Sequence, residues 1–277
     1  MSPLLLASCI ALAQTPPPPV VVGEGSDIVV DGVLDEPAWQ AIAPVTEFNR
    51  FQPVEGGPPP GRTEVRFAQD ERYLYAAIVV SDVDYRIRAR VSQREDINQD
   101  DQIGIYLDTF QDERSGYIFY LNALGVQQDF RRNGDVVTFS WDAVFKSEGR
   151  VTDTGYVLEI AWPWRSLRYA KDSDTWGVLI TRKVPHDNAK YSFPSMERGN
   201  PRLFTQAAAL TGLRPPPAGT GLELLPQLTV IQSAVREDGA DLRWAPYNPV
   251  LDVVRPSLDA RLGITPNLGM AATINPD

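Results

Sequence analysis

Carboxylates crowd into the stretch REDINQDDQIGIYLDTFQDER, with Asp96, Asp100, Asp101, Asp108, Asp112 and Glu113 among them. Paired carboxylates split glycosidic bonds when they face each other across roughly 5 to 9 Å. Asp101 and Asp108 are seven residues apart in an extended segment, about 23 Å at the usual rise, so they cannot form that pair. Acidic loops also bind calcium through oxygen ligands. The set that fits is Asp100 or Asp101 with Asp82 or Asp84 of SDVDYR, with solvated turn carboxylates as the plain alternative. His186, the one histidine, lies between Pro185 and Asp187, and no serine sits in a nucleophile-elbow setting, so a hydrolytic triad is not expected. With a single cysteine, Cys9, an internal disulfide framework is excluded and a His/Cys zinc site is not expected.

Aromatic side chains offer a different chemistry: an indole ring stacks on the C–H face of a sugar while polar neighbours meet its hydroxyls. Trp141 in FSWDAVF and Trp164 in AWPWRSLRY are the candidates, because Trp162 keeps step with Ile160 and Leu158 and so belongs to a core face. Trp39 ends the run IVVDGVLDEPAWQ, after the turn residues Asp31-Gly32 and Asp35-Glu36-Pro37. Large aromatics give most of their value by burial. Trp39, Asp31 and Gly32 are therefore expected to be structural, with the indole plugging the end of a β-sandwich.

The elements that must position these residues read as short strands. TEVRFAQ (63–69) puts Val65 and Phe67 on one face, and YLYAAIVVS (73–81) is apolar on both, as a central strand is. QIGIYLD alternates through Ile103, Ile105 and Leu107, and YIFYLN through Tyr117, Phe119 and Leu121. GYVLEIAW sets Tyr156, Leu158, Ile160 and Trp162 on one side with Glu159 opposite, and WGVLITRK (176–183) closes the series. Long helical periodicity is absent. The spacing predicts an all-β, antiparallel sandwich of the jelly-roll or immunoglobulin-like kind over residues 20–214.

The flanking segments differ in character. MSPLLLASCIALAQ is a short apolar run ending in Ala11-Leu12-Ala13, the small-residue pattern of an export signal, and Pro16–Pro19 make a stiff spacer, so 1–19 read as leader and spacer. Leu6-Ala7-Ser8-Cys9 gives the alternative of a lipoprotein box with Cys9 acylated. RPPPAGTG (214–221) ends the domain on composition, and 215–277 read as a linker and further strands. Leu222, Leu224 and Leu228 alternate, as do Leu258, Ala260, Leu262 and Ile264, then Leu268, Met270, Ala272 and Ile274 after a Thr265-Pro266-Asn267 turn. Ten-residue alternating segments joined by tight turns are the weak signature of outer-membrane strands, and extra strands of a soluble sheet are the alternative. Two or three strands cannot close a barrel, so the barrel reading expects a truncated β-barrel and an incomplete chain. The net charge of −10, from 26 basic and 36 acidic residues, argues against nucleic acid or an anionic membrane surface as partner.

IVVDGVLDEPAW, TEVRFAQDERYLYAAIVVSD, DDQIGIYLDTF and WDAVFKSEGRVTDTGYVLEIAWPWRSLRY together resemble the family 9 carbohydrate-binding modules. EFNRFQPVEGGPPPGRTEV and LDARLGITPNLGMAATINPD are similar to the version that precedes an outer-membrane β-barrel in bacterial proteins of unknown function. The resemblance implies a sandwich exported to the periplasm or outer membrane of a Gram-negative cell, with a saccharide and its own C-terminal barrel as partners. Sugar-binding members sandwich the sugar between two tryptophans. At the first position, three residues before Asp101, this chain has Asn98, and near the second it offers Tyr191 and Phe193. The leading expectation is a non-catalytic saccharide-binding module, linked to carbohydrate catabolism or uptake and with calcium as a candidate cofactor. Tyr191, Phe193, Trp141 and Trp164 would stack, and Asn98, Asp100 and Asp101 would be polar partners. The alternatives are a ligand-free periplasmic plug or interaction domain and an accessory part of a glycoside hydrolase.

Overall fold

The computed structural model describes residues 16–81, 87–217, 222–235, 248–265 and 268–275. The leader with Cys9, and the acids Asp82 and Asp84, lie outside the described residues. The chain divides into two compact units, Met1–Pro216 and Pro217–Asp277.

The first unit is the all-β sandwich that the strand spacing predicts. One layer is a nine-stranded sheet: β1 (Val20–Val21), β3 (Asn49–Gln52), β6 (Gln102–Asp108), β7 (Ser115–Asn122), β8 (Gln127–Asn133), β9 (Val136–Thr138), β12 (Thr175–Val184), β13 (Ala189–Phe193) and β14 (Ala208–Thr211). Its spine runs β12-β6-β7-β8, and the long β12 pairs with β14 at its start and with β13 at its end. The other layer has five strands in the order β10 (Lys146–Thr152), β11 (Gly155–Pro163), β5 (Tyr73–Ser81), β4 (Thr63–Gln69) and β2 (Gly23–Glu24). Pairing in the sandwich is antiparallel except at the N-terminal arm, where β1 runs parallel to β14 and β2 to β4. One short arm there serves the edges of both layers in turn.

Alternation decides which side chains meet between the layers. Leu74, Ala76, Ile78 and Val80 of β5, with Tyr156, Leu158, Ile160 and Trp162 of β11, join Ile103, Ile105 and Leu107 of β6 and Tyr117, Phe119 and Leu121 of β7 in one core. Trp162 is fully buried there, 5.2 Å from the Phe119 ring and 6.2 Å from Phe145 by centroids. Burying side chains of this size stabilises the fold by roughly 1.5–3 kcal/mol each.

Trp39 does not plug the end of that core. It lies on the outer face of the five-stranded sheet, buried with Ala68, Tyr75, Ala77 and Ala161. The alanines leave a flat seat that a larger residue would fill. Pro37 starts the short helix α1 (Pro37–Ala41), whose Trp39 drops onto this seat. The outward position of β11 next to it is Glu159, 1% exposed, whose carboxylate accepts from Trp39 Nε1 (3.2 Å), Asp31 N (3.0 Å) and Gly32 N (2.8 Å). Gly32 has φ +80°, which glycine adopts without strain, and the Asp31 side chain closes the turn by accepting from Val33 N (2.9 Å). The turn is thus a strap over a sheet face, latched by one buried acid.

The second unit is an antiparallel sheet of β15 (Leu222–Val235), β16 (Asn248–Thr265) and β17 (Leu268–Ile274), in that order. Its register pairs Leu224 with Ala260, Leu228 with Pro256 and Val230 with Val254, then Leu262 with Met270 and Leu258 with Ile274. By the two-residue period these positions share one face, on which Leu224, Leu228, Val230, Val254, Met270 and Ile274 are all exposed. No helix among the described residues is long and apolar enough to cross a membrane.

Candidate ligand-binding groove

The nine-stranded sheet turns a second face away from the core, and the residues skipped by the apolar alternation line it. In β6 these are Gln102, Gly104 and Tyr106, in β7 Tyr120, in β8 Gln128 and Phe130, and in β12 Thr181 and Lys183. Registers align them in rows: Thr181, Gly104, Tyr120 and Gln128 across four strands, with Lys190, Lys183 and Gln102 in the next row. Gly104 makes the first row possible. A Cβ there would stand 2.5 Å from Thr181 Oγ1 and 2.6 Å from the Tyr120 ring, so only glycine lets both lie across the sheet.

Above these rows is a groove of about 550 Å³, closed at its sides by Phe51, Asn98, Phe139, Met196 and Leu203. Aromatic rings form one wall in a chain of edge contacts: Tyr106 to Tyr120 at 5.8 Å, Tyr120 to Phe130 at 6.0 Å, and Phe130 to Phe139 at 4.9 Å. Phe139 is 67% exposed at the rim. The Tyr106 and Tyr120 hydroxyls bond each other, and burial, foremost, pushes both phenols up, so they stay neutral donors and acceptors. Polar groups complete the floor. Gln128 Nε2 donates to the Glu95 carbonyl (3.1 Å), Gln102 Nε2 to the Ile97 carbonyl, and Lys183 Nζ to the Asn98 carbonyl. Their remaining hydrogen-bonding capacity is available to a ligand.

Of the residues singled out in the sequence, only Asn98 lines this groove. Trp164, Tyr191 and Phe193 are 2%, 3% and 4% exposed and belong to the sandwich core, so they cannot stack on a ligand. Trp164 was aimed inward by the turn after β11, its indole donating to the Asp70 carbonyl (2.9 Å) and lying edge-on to Trp176. Trp141 is half-buried against Tyr117, 4.9 Å between centroids, at the core side rather than in the groove. Asp100 and Asp101 are buried as well. Asp100 accepts from Asn122 Nδ2 (3.0 Å) and Arg90 Nε (3.3 Å), and Asp101 from Arg88 N (2.7 Å). Their work is to hold segment 88–90 against β6.

That geometry also bears on calcium. A cation cage wants carboxylate oxygens free of positive neighbours, whereas Asp100 faces the Arg90 guanidinium. Asp100 does not fit the ion, and Asp82 and Asp84 lie outside the described residues. A second acidic cluster, Glu95, Asp129 and Asp142, has Arg94 threaded through it, bonded to Asp129 and to the Ala143 carbonyl (2.9 Å). Burial raises the carboxyl pKa of both Glu95 and Asp129.

The groove residues escaped sequence reading because they occupy the complementary phase of strands read for their cores. The signal was present: Tyr106 and Tyr120 sit on the outward phase of QIGIYLD and YIFYLN, where a solvated sheet would place charged residues. A family model described as carbohydrate family 9 binding domain-like matches residues 30–191. The chain belongs to that family. The match begins in the Trp39 strap and ends within β13, so it takes in strands of both layers and the groove floor. The fold is similar to a carbohydrate binding module family 9 from Caldicellulosiruptor kristjanssonii in complex with glucose, at 14% identity over 70% of this chain and 95% of that one, with a TM-score of 0.48. The same module in complex with cellotriose is 15% identical over 70% of this chain and 93% of that one, with a TM-score of 0.49. No curated protein matches significantly.

Proposed function

We propose that the sandwich is a non-catalytic module that binds a saccharide in the groove on the outer face of the nine-stranded sheet. The observation that carries this is the groove's composition: amide and hydroxyl groups of Gln102, Gln128, Thr181 and Tyr120 share the lining with the rings of Tyr120, Phe130 and Phe139. A pyranose presents the matching surface, with hydroxyls at its edge and C–H bonds on its face. Binding is favoured over cleavage because the lining residues include no pair of carboxylates to act as acid and nucleophile or base. Calorimetry of the full chain against a panel of oligosaccharides tests this. Heat is expected for at least one glycan, and Phe139→Ala, at an exposed rim position, is expected to weaken binding about three- to tenfold, the range of one ring contact. Silence across the whole panel would remove the proposal.

We further infer that the second unit belongs to the wall of an outer-membrane barrel, with the module exported and held at the membrane. Support comes from the exposed apolar row of β15 to β17 and from the polar opposite phase, where Ser257 Oγ donates to Gln227 Oε1 (3.4 Å). A spanning strand needs about 9–11 residues, and β15 has 14. In this reading β15 and β17 pair their open edges with further strands. The full chain is expected to sediment with phosphatidylcholine vesicles, and Leu228→Arg to release it, since a cation on a lipid face costs about 2–4 kcal/mol at mid-bilayer. A chain that stays in the supernatant with or without the substitution speaks against it.

A further inference from the structure

Two lysines, Lys183 and Lys190, line the groove, and a neutral saccharide brings no counter-charge to either. Lys183 and Lys190 are directly opposite each other in the β12–β13 register, and both side chains occupy the outward phase, since Ile180, Val184, Ala189 and Tyr191 take the inward one. Like charges facing each other across a strand pair are destabilising, and this pair stands at a concave site. Among the described residues neither ammonium lies in an ion pair. The acids whose charge reaches Lys183, Asp100 and Asp101, are buried and already bonded to Arg90, Asn122 and the Arg88 amide. Burial, and then the charge of Lys190, lower the pKa of Lys183 against the pull of Asp100 and Asp101; an anion placed between the two lysines would offset their mutual repulsion. Among the described residues no carboxylate lines the groove, in a chain that has 36 acidic and 26 basic residues. A neutral sugar needs none of this.

We propose that the groove selects an acidic saccharide, one whose ring carries a carboxylate or a sulfate, and that Lys183 and Lys190 grip the anion while Tyr120 and Phe139 take the ring face. This rests on the groove being the saccharide site. Two ammonium groups on one anion make charge-assisted hydrogen bonds, roughly twice as strong as neutral ones, and local cations in a concavity offset the repulsion of the chain's negative charge.

The test is calorimetry on the full chain with oligogalacturonate, oligomannuronate, a sulfated galactan oligomer and the carboxyl-reduced oligogalacturonate, at low and at raised salt. An acidic oligomer is expected to bind at least about tenfold tighter than the reduced one at low salt, with the gap narrowing as salt screens it. The carboxylate and sulfate arms show which anion the lysines prefer. Lys190→Met is expected to weaken binding of the acidic oligomer about tenfold and Lys190→Arg to restore most of it; a loss that Arg does not rescue overturns the charge assignment. Equal affinity for acidic and reduced oligomers overturns the acidic preference while leaving the groove as a neutral-sugar site. If no oligomer of either kind binds, the groove reading itself falls with it.

Discussion

Glu159→Ala is expected to destabilise the sandwich by about 3–5 kcal/mol, because it leaves up to three buried donors unpaired at about 1–3 kcal/mol each. The donors are the backbone amides of Asp31 and Gly32 and the indole of Trp39. Water can reach the half-buried Asp31 amide, which keeps the total below the simple sum. Glu159 is itself a compromise: burial raises its carboxyl pKa, and Glu36 nearby adds to that, while the three donors pull it down. Glu159→Gln keeps one acceptor and sheds the buried charge, so its loss is expected to be smaller, about 1–2 kcal/mol. Urea denaturation of the two variants measures both values. A loss below about 1 kcal/mol for the alanine variant would mean that the Trp39 strap stays down by packing alone.

Trp164→Ala is expected to cost about 3–5 kcal/mol in stability while having no direct effect on ligand contacts. The side chain is 2% exposed and meets Trp176 at 5.9 Å and Tyr169 at 6.1 Å, both edge-on. Its loss also leaves the Asp70 carbonyl without the indole N–H. The reading of Trp164 as a stacking platform makes the opposite forecast, a normal melting curve and lost sugar affinity. Thermal denaturation beside the calorimetry described above separates the two in one set of samples. Because the residue lies in the turn after β11, packed into the core and outside the groove lining, a well-folded variant without saccharide affinity would contradict the placement of the site.

The core strands were legible because a β-strand with one dry face repeats every two residues, and TEVRFAQ, QIGIYLD and GYVLEIAW keep that period, while YLYAAIVVS, apolar on both faces, reads as a central strand. The site was legible only at Asn98. A ligand face on a sheet uses the other phase of the same strands, and nothing local tells an outward Tyr106 or Gln128 that meets a ligand from one that meets water. Conspicuous residues misled for a related reason. Tryptophan at a strand end reads equally as platform or as core, and Trp164, Tyr191 and Phe193 turned inward once the layers closed. Asp100 and Asp101 read as metal ligands or loop charges until the fold placed Arg90 and Asn122 beside them.

By itself the sequence determined the fold class, the absence of a disulfide framework, the net charge, and the turn chemistry of Asp31-Gly32 and Pro37, all of which depend on residue type or on spacing within one element. Tertiary structure decided which face each aromatic joined, which acid latched Trp39, and which residues from β6, β7, β8, β12 and β13 came to share a groove. Those contacts join positions from 51 to 203, and they exist only because strands distant in the chain are hydrogen-bonded in register, a relation that no local pattern encodes.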